Sequence, residues 1–494
     1  MDGEATLRRR TLRGVLRGLL TEPRRPVGVR THPRAPWLVV ATVCVGAFMG
    51  QLDASIVTLA FPTLEREFSV DIATVEWVAL AYLVVLVATL TPTGTIADMV
   101  GRKLLYSYGF FVFAAASVAC GLAPNLGVLI GFRAIQAVGA AMLQANSVAL
   151  IATALPKERV GQGLGIQGAA QALGLALGPT IGGVLVDTLG WRWIFFVNGP
   201  VGVLGLVSAW FLLPRSRDLA LRSRFDWVGW ILFAPALALG LVALSRGQHG
   251  GYTSVPVIAG FTACVVLLGL FIVRERLTPY PMLDLRLFAN KTFSVGILAG
   301  LLGFLVLFGT LFVVPFYAEN ARHTSPALTG LVLTAVPAAI GIAAPWAGRR
   351  AGGPRASALG AGGLALTAVA LLASGLWKPP IDLLVVCLAG IGAGLGLFTA
   401  PNNTAVMNAA PRHRSSQAAG VLNTTRALGS ALGIAVGAGV FDAVASAPRT
   451  ASAAESGFAV TALVLAGIAG AAAALASSRV SSNRHPRGDE PTPS

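Results

Sequence analysis

Residues 76–103 read EWVALAYLVVLVATLTPTGTIADMVGRK. Between Glu76 and Asp98 no residue carries a charge, and the apolar run is continuous rather than alternating. At ~1.5 Å of rise per residue such a run covers ~30 Å as a helix, the thickness of a bilayer's hydrocarbon core. A lipid-facing backbone must satisfy its own hydrogen bonds, so the stretch predicts a spanning helix, and its length excludes a barrel strand. It closes on the charged turn Asp98-Met-Val-Gly101-Arg102-Lys103.

The rest of the chain repeats the pattern. Of its 494 residues, 55% are hydrophobic, 58 are glycine and 12% are charged, with a mean hydropathy of +0.73. The apolar-plus-glycine share is about two thirds, against roughly 45–50% in soluble domains. That composition excludes a water-soluble enzyme, and it excludes a disordered chain. Apolar runs predict fourteen spans, at 37–60, 76–97, 104–123, 126–152, 162–187, 194–213, 227–245, 255–273, 293–317, 328–348, 356–377, 382–407, 417–442 and 457–476. The expected fold is an all-α membrane protein. Thirty-six residues precede the first run and no cleavage pattern closes it, so it reads as a retained helix.

Charge predicts the orientation. Of the 37 Lys and Arg, 29 fall in the N-terminal segment, the connections after even-numbered spans and the C-terminal tail; six lie on the other side, and Arg133 and Arg426 lie inside spans. The positive-inside rule then places both termini in the cytoplasm. The net charge of +16 reports topology and contact with anionic lipid rather than nucleic acid, which is not expected as a partner. Arg outnumbers Lys 33 to 4, the bias of a GC-rich bacterial genome, so the expected location is a bacterial cytoplasmic membrane. The longest internal cytoplasmic links, 214–226 and 274–292, isolate spans 7 and 8. The chain therefore divides into a basic segment 1–36, six helices over 37–213, links and an inserted pair over 214–292, six helices over 293–476, and a tail 477–494.

Cofactor chemistry is sparse. Cys44, Cys120, Cys264 and Cys387 each sit alone in an apolar stretch, and the five histidines lie in connections without ligand spacing, so no metal is expected. Gly163-Leu-Gly165-Ile-Gln-Gly168 matches a dinucleotide fingerprint on paper, but no strand precedes it. The chain shows no P-loop, G-x-S-x-G or H-E-x-x-H, which disfavours ATP-driven transport, unless a partner subunit supplies the nucleotide-binding module, and hydrolase chemistry.

Three small-residue and charge motifs carry more. The first is Gly94-Thr-Ile-Ala-Asp98-Met-Val-Gly101-Arg102-Lys103, where Asp98 at a helix end can pair with Arg102 or cap a neighbouring helix. The second is Arg133-Ala-Ile-Gln136-Ala-Val-Gly139 in span 4, and the third is Gly174-Leu-Ala-Leu-Gly178-Pro179-Thr-Ile-Gly182-Gly183 in span 5, a small-residue face with a proline. With Leu52-Asp53 in span 1, Trp191-Arg192-Trp193 and Asn198 before span 6, Pro401-Asn402-Asn403 in span 12 and Asn423-Thr-Thr-Arg426 in span 13, this set resembles the fourteen-helix drug:proton antiporter family of the major facilitator superfamily. The likeness covers about residues 37–476, with Ala137 departing where the family usually has Gly. It implies two six-helix bundles with an inserted pair, alternating access about a midplane cavity, a cytoplasmic gate at Gly94, Asp98, Gly101, Arg102 and Lys103, and an antiporter motif at Gly174, Gly178, Pro179, Gly182 and Gly183.

Intramembrane charges persist where they work, because each costs at least ~2.5–3.5 kcal/mol to insert. Counting from Trp37, Asp53 lies ~24 Å in, and Arg133 lies ~10 Å from the opposite face, so the two share a depth and are expected to meet. Dehydration disfavours a charged carboxylate and a nearby cation favours it, so Asp53 and Arg133 are the expected proton-coupling pair, with proton and cargo competing for one negative charge. Arg426 sits ~14 Å into span 13 with no carboxylate at its depth; a carbonyl, Asn402, Asn423 or an anionic group on the cargo are its candidate partners. Gln136, Asn402, Asn423, Arg426 and Glu319 are the candidate cavity residues, Glu319 also reading as an acid at the outer mouth, and Trp77, Tyr82, Phe304, Phe308 and Phe312 are aromatic candidates. The expected function is proton-coupled export, by a monomer, of a small amphipathic compound such as an antibiotic. Export of an endogenous metabolite is the alternative; a transport-dead sensor or a membrane-embedded enzyme fits less well.

Overall fold

The computed structural model describes residues 22, 25–216, 226–279, 281–350, 355–411, 415–445 and 450–482. Most of the basic N-terminal segment, the first long link and the C-terminal tail lie outside these. Fourteen helices are long and apolar enough to cross a membrane, and no strand occurs among the described residues. They are α1 (Ala35–Phe68), α2 (Trp77–Val100), α3 (Arg102–Gly121), α4 (Leu126–Ala154), α5 (Lys157–Thr188), α6 (Trp193–Leu212), α7 (Trp227–Gly250), α8 (Val255–Leu277), α9 (Lys291–Ala321), α10 (Pro326–Gly348), α11 (Ala356–Trp377), α12 (Ile381–Ala409), α13 (Ser415–Val444) and α14 (Ala451–Ser482).

Where the boundaries differ from the sequence reading, proline chemistry is the reason. Span 1 does not stop at residue 60. It tightens into a 3-10 turn at Val57–Ala60 and then restarts with Pro62 in the first turn of Phe61–Phe68, where the missing N–H costs nothing. Ser69 then adopts a left-handed conformation, φ 50°, and Asp71 caps the next turn by accepting from Thr74 N at 2.8 Å. The helix α10 breaks at Thr334, between Pro326–Leu333 and Ala335–Gly348, because Pro337 cannot donate to the carbonyl of Leu333 four residues back.

Packing follows one scheme twice. In α1–α6 the close pairs are α1 on α5, α2 on α4, α3 on α4 and α3 on α6. In α9–α14 they are α9 on α13, α10 on α12, α11 on α12 and α11 on α14, the same partners by position in each six-helix set. The two sets meet along α5–α10 and α2–α13. The inserted α7 packs on α8 and also on both α2 and α13, bridging one seam, whereas α8 is largely exposed outside it. With no hydrophobic drive between helices in lipid, such contacts depend on close approach. Gly178 meets this demand: a Cβ there would strike the Ser55 hydroxyl and come within 3.1 Å of Ile56 N on α1.

One end of the molecule carries the Arg-rich connections. There Asp98 pairs with Arg102, Oδ1 to Nε 2.8 Å, one helical turn apart. The turn between them uses Gly101 at φ 120°, where side chains are strained. The Glu22 carboxylate fills the space beside Gly101 and accepts from Ser216 N at 2.6 Å and Ser216 Oγ at 2.8 Å. Arg102 N donates to the same hydroxyl at 2.9 Å. Glu22, the α2–α3 turn and Ser216 after α6 therefore gather at this one end.

Candidate functional site

Asp53 stands one turn before the 3-10 break in α1, fully buried. Three donors from two other helices close on it. Arg133 Nη1 reaches Oδ2 at 2.7 Å; Gln136 Nε2 and Asn198 Nδ2 reach Oδ1 at 2.8 and 3.0 Å. Arg133 and Gln136 are three residues apart on α4 and so share a face; Arg133 Nη1 also donates to Gln136 Oε1 at 2.8 Å. Arg133 Nε donates to the Val78 carbonyl at 3.0 Å, and the guanidinium carbon lies 4.3 Å from the centre of the Tyr82 ring. Asn198 is held in turn by Ser117 Oγ at 3.1 Å. A charge pair this enclosed survives because nearly every donor and acceptor has a partner and the geometry is short.

Beside this network, a cavity of about 380 Å³ lies between the two six-helix sets, within the ~300–1,000 Å³ typical of small-molecule sites. Its polar lining comprises Gln51, Gln144, Gln171, Asn403, Asn423 and Ser430, with Thr399, and its aromatic faces are Tyr82, Phe304, Phe308 and Phe398. Among the described residues, Arg426 is its one charged lining residue, and no Asp or Glu lines it. The Arg426 Nε has no hydrogen-bond partner, and the guanidinium lies 5.6 Å from the centre of the Phe304 ring. Tyr82 belongs to both places: one face of its ring bears Arg133 and the residue lines the cavity.

Ties between the two sets gather at the end away from the Arg-rich turns. Arg66 Nη2 meets Glu319 Oε2 at 3.0 Å, and the Phe61 and Phe312 rings lie 5.1 Å apart. Thr180 and Thr334 share a hydrogen bond of 2.6 Å, and Gly183 of α5 abuts Gly330 of α10, its Cβ position 3.1 Å from the Gly330 Cα. The cavity occupies the half toward the Arg-rich end, reached by Gln144, Gly168, Ala344 and Asn403. This arrangement is sealed on one side and hollow on the other.

The structure separates the sequence candidates. Asp53 and Arg133 pair, as their depths led one to expect. Asn423 and Arg426 line the cavity, with Tyr82, Phe304 and Phe308. Three assignments to the cavity are corrected. Gln136 is wholly buried and serves the Asp53–Arg133 pair. Asn402 turns away to donate to the Gly296 carbonyl at 3.0 Å. Glu319 is an inter-bundle tie at the sealed end. Trp77 donates to Ser245 Oγ on α7 at 2.9 Å, and Phe312 packs into the sealed end, so neither lines the cavity. Asp53 itself is not exposed to the cavity, which removes direct contact between cargo and its carboxylate in this state. Within the small-residue motif of α5, expected to be an antiporter motif, Gly174, Gly178 and Gly182 face α1, while Pro179 and Gly183 face α10. Sequence reasoning assigned no role to Asn198, although it stood within a quoted motif, and took Glu76 only as the end of an apolar run. Among the described residues no group of His, Cys, Asp or Glu gathers as a metal site requires.

Comparison with known proteins agrees with this architecture. The model of the Major Facilitator Superfamily matches residues 43–434. The riboflavin transporter RibZ of Clostridioides difficile is 34% identical over 402 residues, 81% of this chain and 87% of that protein. The multidrug resistance protein Stp of Mycobacterium tuberculosis is 35% identical over 408 residues, 82% of this chain and 75% of that protein. A solved bacterial homologue of the human lysosomal transporter Spinster, in an inward-facing and unoccupied conformation, aligns with a TM-score of 0.67 over 92% of this chain and all of that one; at 15% identity it speaks for the fold alone. On the match over most of its length, with relatives above 30% identity along four fifths of it, the chain belongs to the major facilitator superfamily.

Proposed function

We propose that this transporter is a proton-coupled exporter of the fourteen-helix antiporter type, working by alternating access in a bacterial cytoplasmic membrane. Its Arg-rich end and both termini face the cytoplasm, which makes the state described here the inward-facing one. The observation that carries the reading is the shared residue Tyr82, which lines the cavity and packs against Arg133 of the buried charge pair. Protonation of Asp53 removes the charge that holds Arg133, and the freed guanidinium shifts the ring that cargo touches. Proton and cargo thus communicate through Tyr82 and Arg133 rather than by competing for one exposed carboxylate. Inward movement of a proton supplies ~2.3 kcal/mol per 100 mV.

The cavity lining bears on the cargo. A lone Arg426, its Nε without a partner, beside seven amide and aliphatic hydroxyl side chains suits a flat amphipathic compound that presents carbonyl, phenolate or carboxylate groups. Cationic dyes, which need a carboxylate, fit it poorly. The same polarity supports a second reading, export of a polar endogenous metabolite, and the relative named as a riboflavin transporter is of interest in that light.

The test is growth inhibition by a panel of anionic, neutral and cationic toxic compounds, in an efflux-deficient bacterial host at matched membrane levels of protein. The wild-type chain is expected to protect against some compounds, and Asp53→Asn to be inserted normally but to protect against none. Arg426→Gln is expected to raise the half-saturating concentration of anionic cargo about tenfold or more, the scale of a lost charge-assisted hydrogen bond. Undiminished active export by Asp53→Asn would sink the coupling role. Protection limited to cationic compounds would overturn the cargo reading, and absence of any protection would favour metabolite export.

A further inference from the structure

Glu76 stands between the turn Ile72–Val75 and α2, at the sealed end of the molecule. Its carboxylate is wholly buried, and neither oxygen has a hydrogen-bond partner. Among the described residues, three elements besides its own helix bear on it. From α7 comes the Ser245 hydroxyl, itself held by Trp77 Nε1 at 2.9 Å. From α13 comes Asp442, from its own element Asp71, and from the α7–α8 connection Tyr252. Among the described residues, the charged groups that bear on Glu76 are Asp442 and Asp71, both acidic. Asp53 is different: its charge is met by Arg133 and two amides.

We propose that Glu76 is a second proton-binding site, distinct from the Asp53–Arg133 pair, assembled where α7 of the inserted pair closes over the α2–α13 seam. The group it binds is a proton and not a metal ion, since no ligand cluster surrounds it among the described residues. An ionised carboxylate in this seam would have the Ser245 hydroxyl as its one donor and would face two acids, too little to replace its hydration. A neutral carboxyl can be accommodated, since it needs no counter-charge and can exchange a hydrogen bond with the Ser245 hydroxyl. Ionisation therefore requires water, and water enters only when α2, α7 and α13 part. Closing this end takes up one proton and opening it releases one. By linkage, low pH on this side favours the sealed state, and raising the pH favours its opening. The inserted helix pair thereby gains a role: without α7 the carboxylate would stay hydrated and the closure would be indifferent to pH.

The proposal is independent of the export reading, because its readout is conformation and protonation rather than transport. In the full-length protein with Cys44, Cys120, Cys264 and Cys387 replaced by serine, spin labels at Ser69→Cys and Thr450→Cys report the separation of the two helix sets at this end. As pH rises from about 5 to about 9, the close-distance population is expected to fall about tenfold relative to the open one. In Glu76→Gln the close population is expected to persist at all pH values, while Asp53→Asn keeps the pH response. A second measurement does not depend on Glu76→Gln holding the same conformation. Infrared difference spectra of the parent protein at low pH are expected to contain a protonated-carboxyl band that Glu76→Gln lacks and Asp53→Asn retains. A Glu76→Gln variant that opens with pH as the parent does would overturn the proposal, as would a parent insensitive to pH or a spectrum in which Glu76→Gln removes no such band.

Discussion

Arg133→Leu is expected to lower the stability of the folded protein by about 3–5 kcal/mol, the cost of leaving a buried charge uncompensated. Asp53 would keep its two amide donors, Gln136 and Asn198, but would lose its one cation, while the Val78 carbonyl and Gln136 Oε1 would lose their donor. Removing both charges is a different matter. Asp53→Leu combined with Arg133→Leu replaces an enclosed ion pair by apolar groups, a change that is often near neutral or stabilising. Thermal unfolding in detergent, followed by tryptophan fluorescence, checks this. The single variant should unfold well below the parent, and the double variant should recover most of the loss. Parent-like unfolding of Arg133→Leu would show that the pair is hydrated in solution.

The second large effect is conformational. Gly330→Leu is expected to shift the population away from the sealed state about 5- to 150-fold, equivalent to about 1–3 kcal/mol of overpacking. A Cβ at Gly330 would strike the Pro179 carbonyl oxygen and approach the Gly183 Cα to 3.1 Å. Both are helix backbone, so relief comes only from moving α5 and α10 apart. Cysteines at Thr180 and Thr334, whose hydroxyls lie 2.6 Å apart, report the contact through disulfide formation in the cysteine-free background. Cross-linking should be rapid with Gly330 present and strongly depressed with leucine there; equal rates would mean that the seam tolerates a side chain. Gly178→Leu makes the useful contrast. It falls on the other face of the same motif, against Ser55 and Ile56 of α1, and is expected to destabilise one helix set instead of redistributing the two states.

These two variants mark the border between local and long-range information. The ten-residue motif in span 5 is visible in the sequence as a string of small residues around Pro179. Which of them seals a bundle and which meets the other bundle depends on the rotation of α5 between α1 and α10. An all-round apolar helix carries no polar stripe to reveal that rotation. The same blindness misplaced Gln136 and Asn402. Both are polar residues in apolar helices, and a cavity is the natural place for a polar group. One instead serves a carboxylate from α1 and the other a carbonyl from α9. Arg66 and Glu319 were separate loop and rim charges until folding brought them together across 253 residues.

What the sequence determined by itself is what depends on distance along a single helix. Fourteen runs long and apolar enough to span, the Arg-rich connections after the even ones, and the matching depths of Asp53 and Arg133 all follow from length, charge and a rise of ~1.5 Å per residue. What only the tertiary structure decided is what depends on neighbours. It isolated Asp53 from the cavity, left Arg426 as the cavity's lone charge, and turned Glu76 from the end of an apolar run into a buried carboxylate beneath α7. The reason is physical: solvation of a charge is set by every element packed around it, and no span contains its neighbours in its own sequence.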